Sequence, residues 1–388
     1  MRFGSMRVFI GATAITVVCL LGAVAAAGQA GPVQNPQENV PMVDDVFKSV
    51  VLLRGIPVDT FFDTMGMFAN AMGNDCTFCH EKAAYFDRTR FADATPKIMK
   101  ARQMIVMMTA INKQYFGGQP RVTCFTCHSG NMQPKSDPNI ALQYAPPTED
   151  PNARDFPLYT GISANQIFDK YVQALGGADR LAKFTSYTAK GTYAGFDTAL
   201  TKVPVEIFGK APGQQATVVH MTGGDSFRIF DGRNGWWTGP DTPLPLVTLT
   251  GGNLDRRRLE AMVPFPAGIR QAFGQWRVGR TAIDDSEVLI VQGITDDKQP
   301  LANFYFDESG LLVRMVRWTP TPVGAVPTQI DYSDYREVAG VKMPFKWMVS
   351  QTFMQMTVEL SDLQPNVQIA AARFAKPVAS AAARPIAR

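Results

Sequence analysis

Cys76-Thr77-Phe78-Cys79-His80 and Cys124-Phe125-Thr126-Cys127-His128 are two complete C-x-x-C-H pentapeptides in one chain, and this is the sequence by which c-type haem is covalently attached. On a helical turn, cysteines three apart can each form a thioether to a haem vinyl group, and the histidine that follows reaches the iron as proximal ligand. The chain is therefore expected to carry two haem c groups through Cys76, Cys79, Cys124 and Cys127, with His80 and His128 on the irons. One such motif alone could be a dithiol or half a zinc site preceding a chance histidine. Two copies argue against that reading.

The N-terminus agrees with export. Met1 to Ala27 has Arg2 and Arg7, an apolar run from Val8 to Val24 and then Ala25-Ala26-Ala27, the layout of a secretory signal peptide. The apolar run approaches bilayer length, so an uncleaved N-terminal anchor is the alternative. Either way the expected location is the periplasm, free or membrane-associated. Cys19 falls in the leader, which leaves all four other cysteines in the two motifs and none for a disulfide.

Histidine number limits the distal ligands. The chain holds three, and with His80 and His128 committed only His220 remains, so at least one iron uses methionine or no sixth ligand. Methionine is abundant, at 18 residues. A helix is expected from Val58 to Met72, with Phe61, Phe62, Met65, Phe68, Ala69 and Met72 on one face. A second begins at Thr95-Pro96, carries Met104, Met107, Met108, Ile111 and Tyr115 on one face, and ends at Gly117-Gly118. Each methionine stripe is readable as ordinary core packing or as a source of iron ligands.

Residues from about Val46 to Pro134 resemble the cytochrome c subunit of photosynthetic reaction centres, through Phe61-Phe62-Asp63-Thr64-Met65, the first C-x-x-C-H, Arg102 to Met107, and Val122 to Asn131. The resemblance implies helix, turn and haem-binding helix in each unit, with Met65 distal to the first haem and Met104 to the second. Met107 or Met108 is the alternative to Met104, because the register rests on the loop from about Phe116 to Arg121, which is shorter here than in the family. Better-known members carry four haems, so two motifs correspond to one half. The histidine that follows the second methionine helix in the family is missing from Tyr115-Phe116-Gly117-Gly118.

Pro134 to Pro157 reads as an extended Pro-rich linker. After a helix from Ser163 to Leu175, ended by Gly176-Gly177, come short alternating runs from Lys183 to Phe374. They are expected at Tyr187–Tyr193, Val203–Phe208, Ala216–Met221, Phe227–Phe230, Gly235–Thr238, Val288–Gln292, Ala302–Phe306, Leu311–Thr319, Thr328–Tyr335, Lys342–Gln351 and Met354–Leu360. So many strands in succession imply a strongly curved or partly closed antiparallel sheet. A helical insert is expected between Leu254 and Trp276, with Arg256-Arg257-Arg258 on a solvated face. His220, alone on a strand, reads as structural. Ala174 to Ala178, Lys190 to Tyr193 and Ser333 to Pro344 resemble periplasmic lipoprotein-carrier (LolA-like) and sensor domains, which implies an apolar ligand cavity.

The fold class is α+β: an all-α dihaem module joined by a Pro-rich linker to a half-barrel-like antiparallel sheet. The divisions are a signal peptide at 1–27, an extension at 28–45, the dihaem domain at 46–134, a linker at 135–160, the sheet domain at 161–376 and a tail at 377–388. Formal charge is near balance at 38 − 34 = +4, and nothing indicates a nucleic-acid partner. The leading function is one-electron transfer between redox donor and acceptor proteins in the periplasm or at the membrane surface, a reaction centre or other membrane complex among them. A dihaem peroxidase, needing one iron with a displaceable sixth ligand, and an apolar-ligand carrier or sensor with accessory haems are the alternatives.

Overall fold

The computed structural model describes residues 40–381 except 48, 146–149 and 296–299. The leader at 1–27, residues 28–39 of the extension and residues 382–388 of the tail lie outside the described residues.

Before the sheet, the described chain builds two long helices and several short turns, two of which carry the C-x-x-C-H motifs. Helix α1, Val58–Met72, starts after Pro57 and stops at Gly73, which takes the left-handed conformation (φ 62°) that suits glycine past a helix end. A single turn, α2, spans Thr77–His80. Helix α3, Pro96–Tyr115, is capped by Thr95, whose side chain accepts from Ile98 N, with proline at the first position as expected. The turn of the second motif, α4, is Cys124–His128, closed by a capping box between Thr123 and Thr126.

The rest of the chain is one antiparallel sheet, curved and unclosed, with helices packed on it, which makes the fold α+β. Its first run comprises β1 (Ser186–Gly195), β2 (Val203–Lys210), β3 (Gln214–Met221), β4 (Gly224–Phe230), β5 (Gly235–Thr238) and β6 (Val247–Leu249). Its second comprises β7 (Gln275–Ile283), β8 (Ser286–Ile294), β9 (Pro300–Phe306), β10 (Leu312–Thr321), β11 (Gly324–Val338), β12 (Val341–Gln351) and β13 (Gln355–Pro365). Each run is a meander. They join where β1 pairs with β13, Tyr187 opposite Pro365, so the order across the sheet is β6-β5-β4-β3-β2-β1-β13-β12-β11-β10-β9-β8-β7.

Helices α5 (Ala164–Ala174) and α6 (Gly251–Met262) cover the core side. Ser163 caps α5 in a capping box with Gln166 and lets it bury Ile167, Phe168 and Tyr171. These pack with Leu259 of α6 and with inward residues such as Val205, Phe304, Ile330 and Val358. Phe168 meets Trp276 edge-on at 5.0 Å between ring centroids. Truncating a buried phenylalanine of this kind costs about 3–5 kcal/mol.

The sequence reading missed β6, too short for alternation to register, and β7, partly absorbed into the expected insert. That insert is helical only to Met262, followed by a 3₁₀ turn at Pro266–Gln271. Its basic run is not a solvated face. The Arg256 and Arg257 side chains are only 13% and 11% exposed, and Arg258 alone faces outward, at 37%. The segment read as a linker has a one-turn helix at Ile140–Gln143. Its far end docks on the sheet: Tyr305 donates to Pro151 O (2.8 Å), and Gln292 donates to Arg154 O (2.8 Å).

The helical segment sits on the same sheet. Val43, Phe47 and Val58 pack with Leu244, Val247 and Leu249 at β6, an outer strand of the sheet. Met67 and Met108 pack with Val323 and Val326 at the β10–β11 hairpin.

Candidate metal centre

Helix α1 uses two faces for two purposes. Val58, Asp59, Asp63, Thr64, Met67 and Ala71 are buried. The apolar stripe expected from the sequence is instead only half-buried and lines a cleft of about 270 Å³. Met65 shares that cleft with Cys76, Cys79 and His80. An amphipathic helix ordinarily hides its apolar stripe. A half-open stripe facing two cysteines and a histidine fits a large apolar group attached there.

Local hydrogen bonds hold the first motif in position. Asp75 accepts from Thr77 N at 2.8 Å and so starts the α2 turn. Thr95 Oγ1 donates to Cys79 O at 2.7 Å, tying the motif to the start of α3. From α3, Ile98, Ala101, Arg102 and Ile105 complete the cleft wall. Arg102 Nη2 donates to Ser49 O at 2.9 Å, so its cation is held at the rim. Burial pushes the Cys76 and Cys79 thiols up and the His80 imidazole down, which keeps His80 neutral and able to donate a lone pair.

The second motif is held by different means. Asn112 on α3 clamps Val122, donating to its O at 2.7 Å and accepting from its N at 2.9 Å. His128 Nδ1 lies 3.1 Å from Asn131 O, and since a carbonyl only accepts, the proton is on Nδ1. Nε2 is left with its lone pair, the usual arrangement of an iron-ligating histidine. Cys124 packs with Met67 and Met108, and burial raises its thiol to about 11.

The candidate distal ligands on α3 differ in environment. Met104 is half-buried, Met108 is 6% exposed, and Met107 at 47% and Tyr115 at 69% lie outside the face expected to hold them together. His220 is on β3, 2.8 Å from Asp225 Oδ1 and 3.8 Å from Glu206 Oε2, and does not line the cleft.

Two residues to which the sequence alone assigned no role fix α1. Asp59 accepts from Thr250 N (2.7 Å) and Thr250 Oγ1 (2.8 Å), and Asp63 accepts from Asn253 Nδ2 (2.7 Å). Their signal in the sequence is two carboxylates at i, i+4 in an otherwise apolar helix, which cannot both face water if the far face is also buried. Burial pushes both carboxyls up.

Residues 17–149 match the Photosynthetic reaction centre cytochrome C subunit family. The photosynthetic reaction center cytochrome c subunit of Roseobacter denitrificans is 26% identical over 99 residues, which is 21% of this chain and 26% of that protein. The match thus spans about a quarter of the length of that curated relative. A LolA superfamily protein of Nitrosomonas europaea is similar in structure at 13% identity and a TM-score of 0.36, over 56% of this chain and 99% of that one. An outer membrane lipoprotein-sorting protein domain from Vibrio parahaemolyticus is similar at 8% identity and a TM-score of 0.34, over 54% of this chain and 94% of that one. Over residues 17–149, about a third of its length, this chain is therefore similar to the photosynthetic reaction centre cytochrome c subunit family.

Proposed function

We propose that this chain is a periplasmic dihaem c-type cytochrome that transfers single electrons between redox partner proteins. The observation that carries the reading is the convergence of Met65, Cys76, Cys79 and His80 on one half-open apolar cleft. Covalently held haem would supply a one-electron couple whose potential a thioether ligand raises. Cys76 and Cys79 would hold the first haem, with His80 and Met65 on its iron. Cys124 and Cys127 would hold the second, with His128 and Met104.

The remaining work belongs to the chain. Asn131 orients His128 through Nδ1, the α1 stripe keeps water from one side of the cleft, and Arg102 offers a fixed cation at its rim. The dihaem module at 46–134, the linker at 135–160 and the sheet domain at 161–376 are proposed as its divisions, with a leader at 1–27 that exports it. Among the described residues no helix is long and apolar enough to cross a membrane. A membrane complex such as a reaction centre is the proposed class of partner.

The test is a redox-titrated visible spectrum of the exported protein, with haem counted against protein. Two acid-acetone-resistant haems, each with a thioether charge-transfer band, are expected. One haem per chain, or haem that extracts, refutes the dihaem reading. A ferric high-spin haem that turns over hydrogen peroxide would favour the peroxidase alternative.

A further inference from the structure

The cavity between α6 and the concave sheet has a composition that electron transfer does not use. It measures about 90 Å³, room for several waters or for a short chain with a similar number of heavy atoms. Its floor is apolar, with Ile207, Val349, Met356, Val358 and Leu360. Arg228, Arg256, Arg257 and Glu260 also line it.

The three cations are not equally provided for. Arg228 has Asp197 and Asp241, each at 3.4 Å. Arg256 and Arg257 share one carboxylate, Glu260, at 3.3 and 2.7 Å. The Arg256 contact lacks hydrogen-bond geometry, so Arg256 Nε and Nη1 and Arg257 Nε are buried donors with no acceptor. Desolvation holds Arg257 down to about 10. A buried guanidinium short of acceptors is costly.

We infer that this cavity is a binding site for a small aliphatic monocarboxylate, its head held by Arg256 and Arg257 and its tail on the apolar floor. A carboxylate presents a planar pair of oxygens that matches the guanidinium fork. Tyr187, Tyr193 and Tyr332, on the strands that line the cavity, can bury the first carbons of the tail.

The experiment is calorimetric titration of the full dihaem protein with octanoate, with octanol and acetate as controls and the visible spectrum followed throughout. Octanoate should bind at one site without changing the haem bands, and both controls at least about tenfold more weakly, as expected when either the charge-assisted bonds or the apolar contacts are lost. Arg257→Gln should weaken octanoate binding by about tenfold or more, while Arg258→Gln leaves it unchanged. If Arg257→Gln does not fold, as judged by haem content and melting, Arg257→Lys, which keeps the charge and loses the fork, should weaken binding instead. Absence of octanoate binding, equal binding of octanol, binding that perturbs an iron, or unaltered affinity in the Arg257 variants each overturns the proposal.

Discussion

Asn253 Nδ2 donates to Asp63 Oδ2 at 2.7 Å, and this bond joins α6 of the sheet to α1 two residues before Met65. Asp63 is 6% exposed, so its carboxyl has no water to turn to if the donor is lost. Asn253→Ala should therefore cost about 1–3 kcal/mol. Denaturant unfolding of the haem-loaded protein measures it, and an unchanged midpoint would show that the bond contributes nothing.

Met65→Ala and Met104→Ala should each remove about half of the thioether charge-transfer absorbance, lower one potential and open one iron to carbon monoxide. Met107→Ala, on an exposed position, should leave both bands. Met108→Ala should destabilise by about 2–5 kcal/mol through the cavity it leaves and keep both bands. Loss of a band in Met108→Ala but not in Met104→Ala would move the ligand by one helical turn.

Gly73 and Gly130 set the spacing of the two motifs. Gly130 N donates to Ala71 O at 3.0 Å, and a Cβ on Gly73 would lie 2.2 Å from Gly130 O. Gly73→Ala thus combines left-handed strain of about 1–3 kcal/mol with a backbone clash. Gly55, at φ 70° with nothing within 4 Å of an added Cβ, isolates the strain alone. Gly73→Ala should lower the melting temperature more than Gly55→Ala, and equal shifts would remove the contact from the account.

Asp59 gives stability a pH dependence whose sign is fixed by its surroundings. Burial raises its carboxyl above the ordinary 3.8, against the pull of donors on Thr250, Thr60 and Asn253. The folded state therefore holds this proton more tightly than the unfolded state. The stability it contributes is fully present below pH 3.8 and is lost as pH rises through the folded-state value. Relative to Asp59→Asn, the native protein should lose stability on going from pH 4 towards neutrality. Parallel curves would mean the carboxyl is not shifted.

A chain ending at Ala145 retains both C-x-x-C-H motifs and loses Thr250, Asn253, Val323 and Val326, which cover the far side of α1 and Met108. The sequence suggests few contacts across the Pro-rich stretch, yet these four partners lie beyond it. The shortened chain should still take up two haems and show the thioether bands, but melt well below the full protein. Equal melting temperatures would make the sheet dispensable to the haem segment.

What could be read from the sequence alone was what local chemistry decides. The bounds of α1 and α3 follow from a proline start, a threonine cap and a glycine stop, and the turn after Phe230 from Asp231, which accepts from Arg233 N and Asn234 N. What tertiary packing decides was hidden. Arg256 and Arg257 read as solvated because a basic run on a polar helix usually is, and only the curvature of the sheet around α6 buries them. The two faces of α1 were equally opaque. Its apolar stripe was plain, but the sheet packing on the opposite side, through Asp59 and Asp63, depends on residues about 190 positions away.

The pairing of β1 with β13 makes the sheet domain nearly circular in connectivity: its first and last strands are neighbours at mid-sheet, and its two outer strands are consecutive in sequence. The chain between those outer strands holds α6 and the 3₁₀ turn, with Arg256, Arg257 and Asn253. A single cut there would leave every ladder of the sheet intact while freeing both the cover of the cavity and the anchor of α1. That single connection between the two meanders thus carries both the cover of the cavity and the anchor of α1.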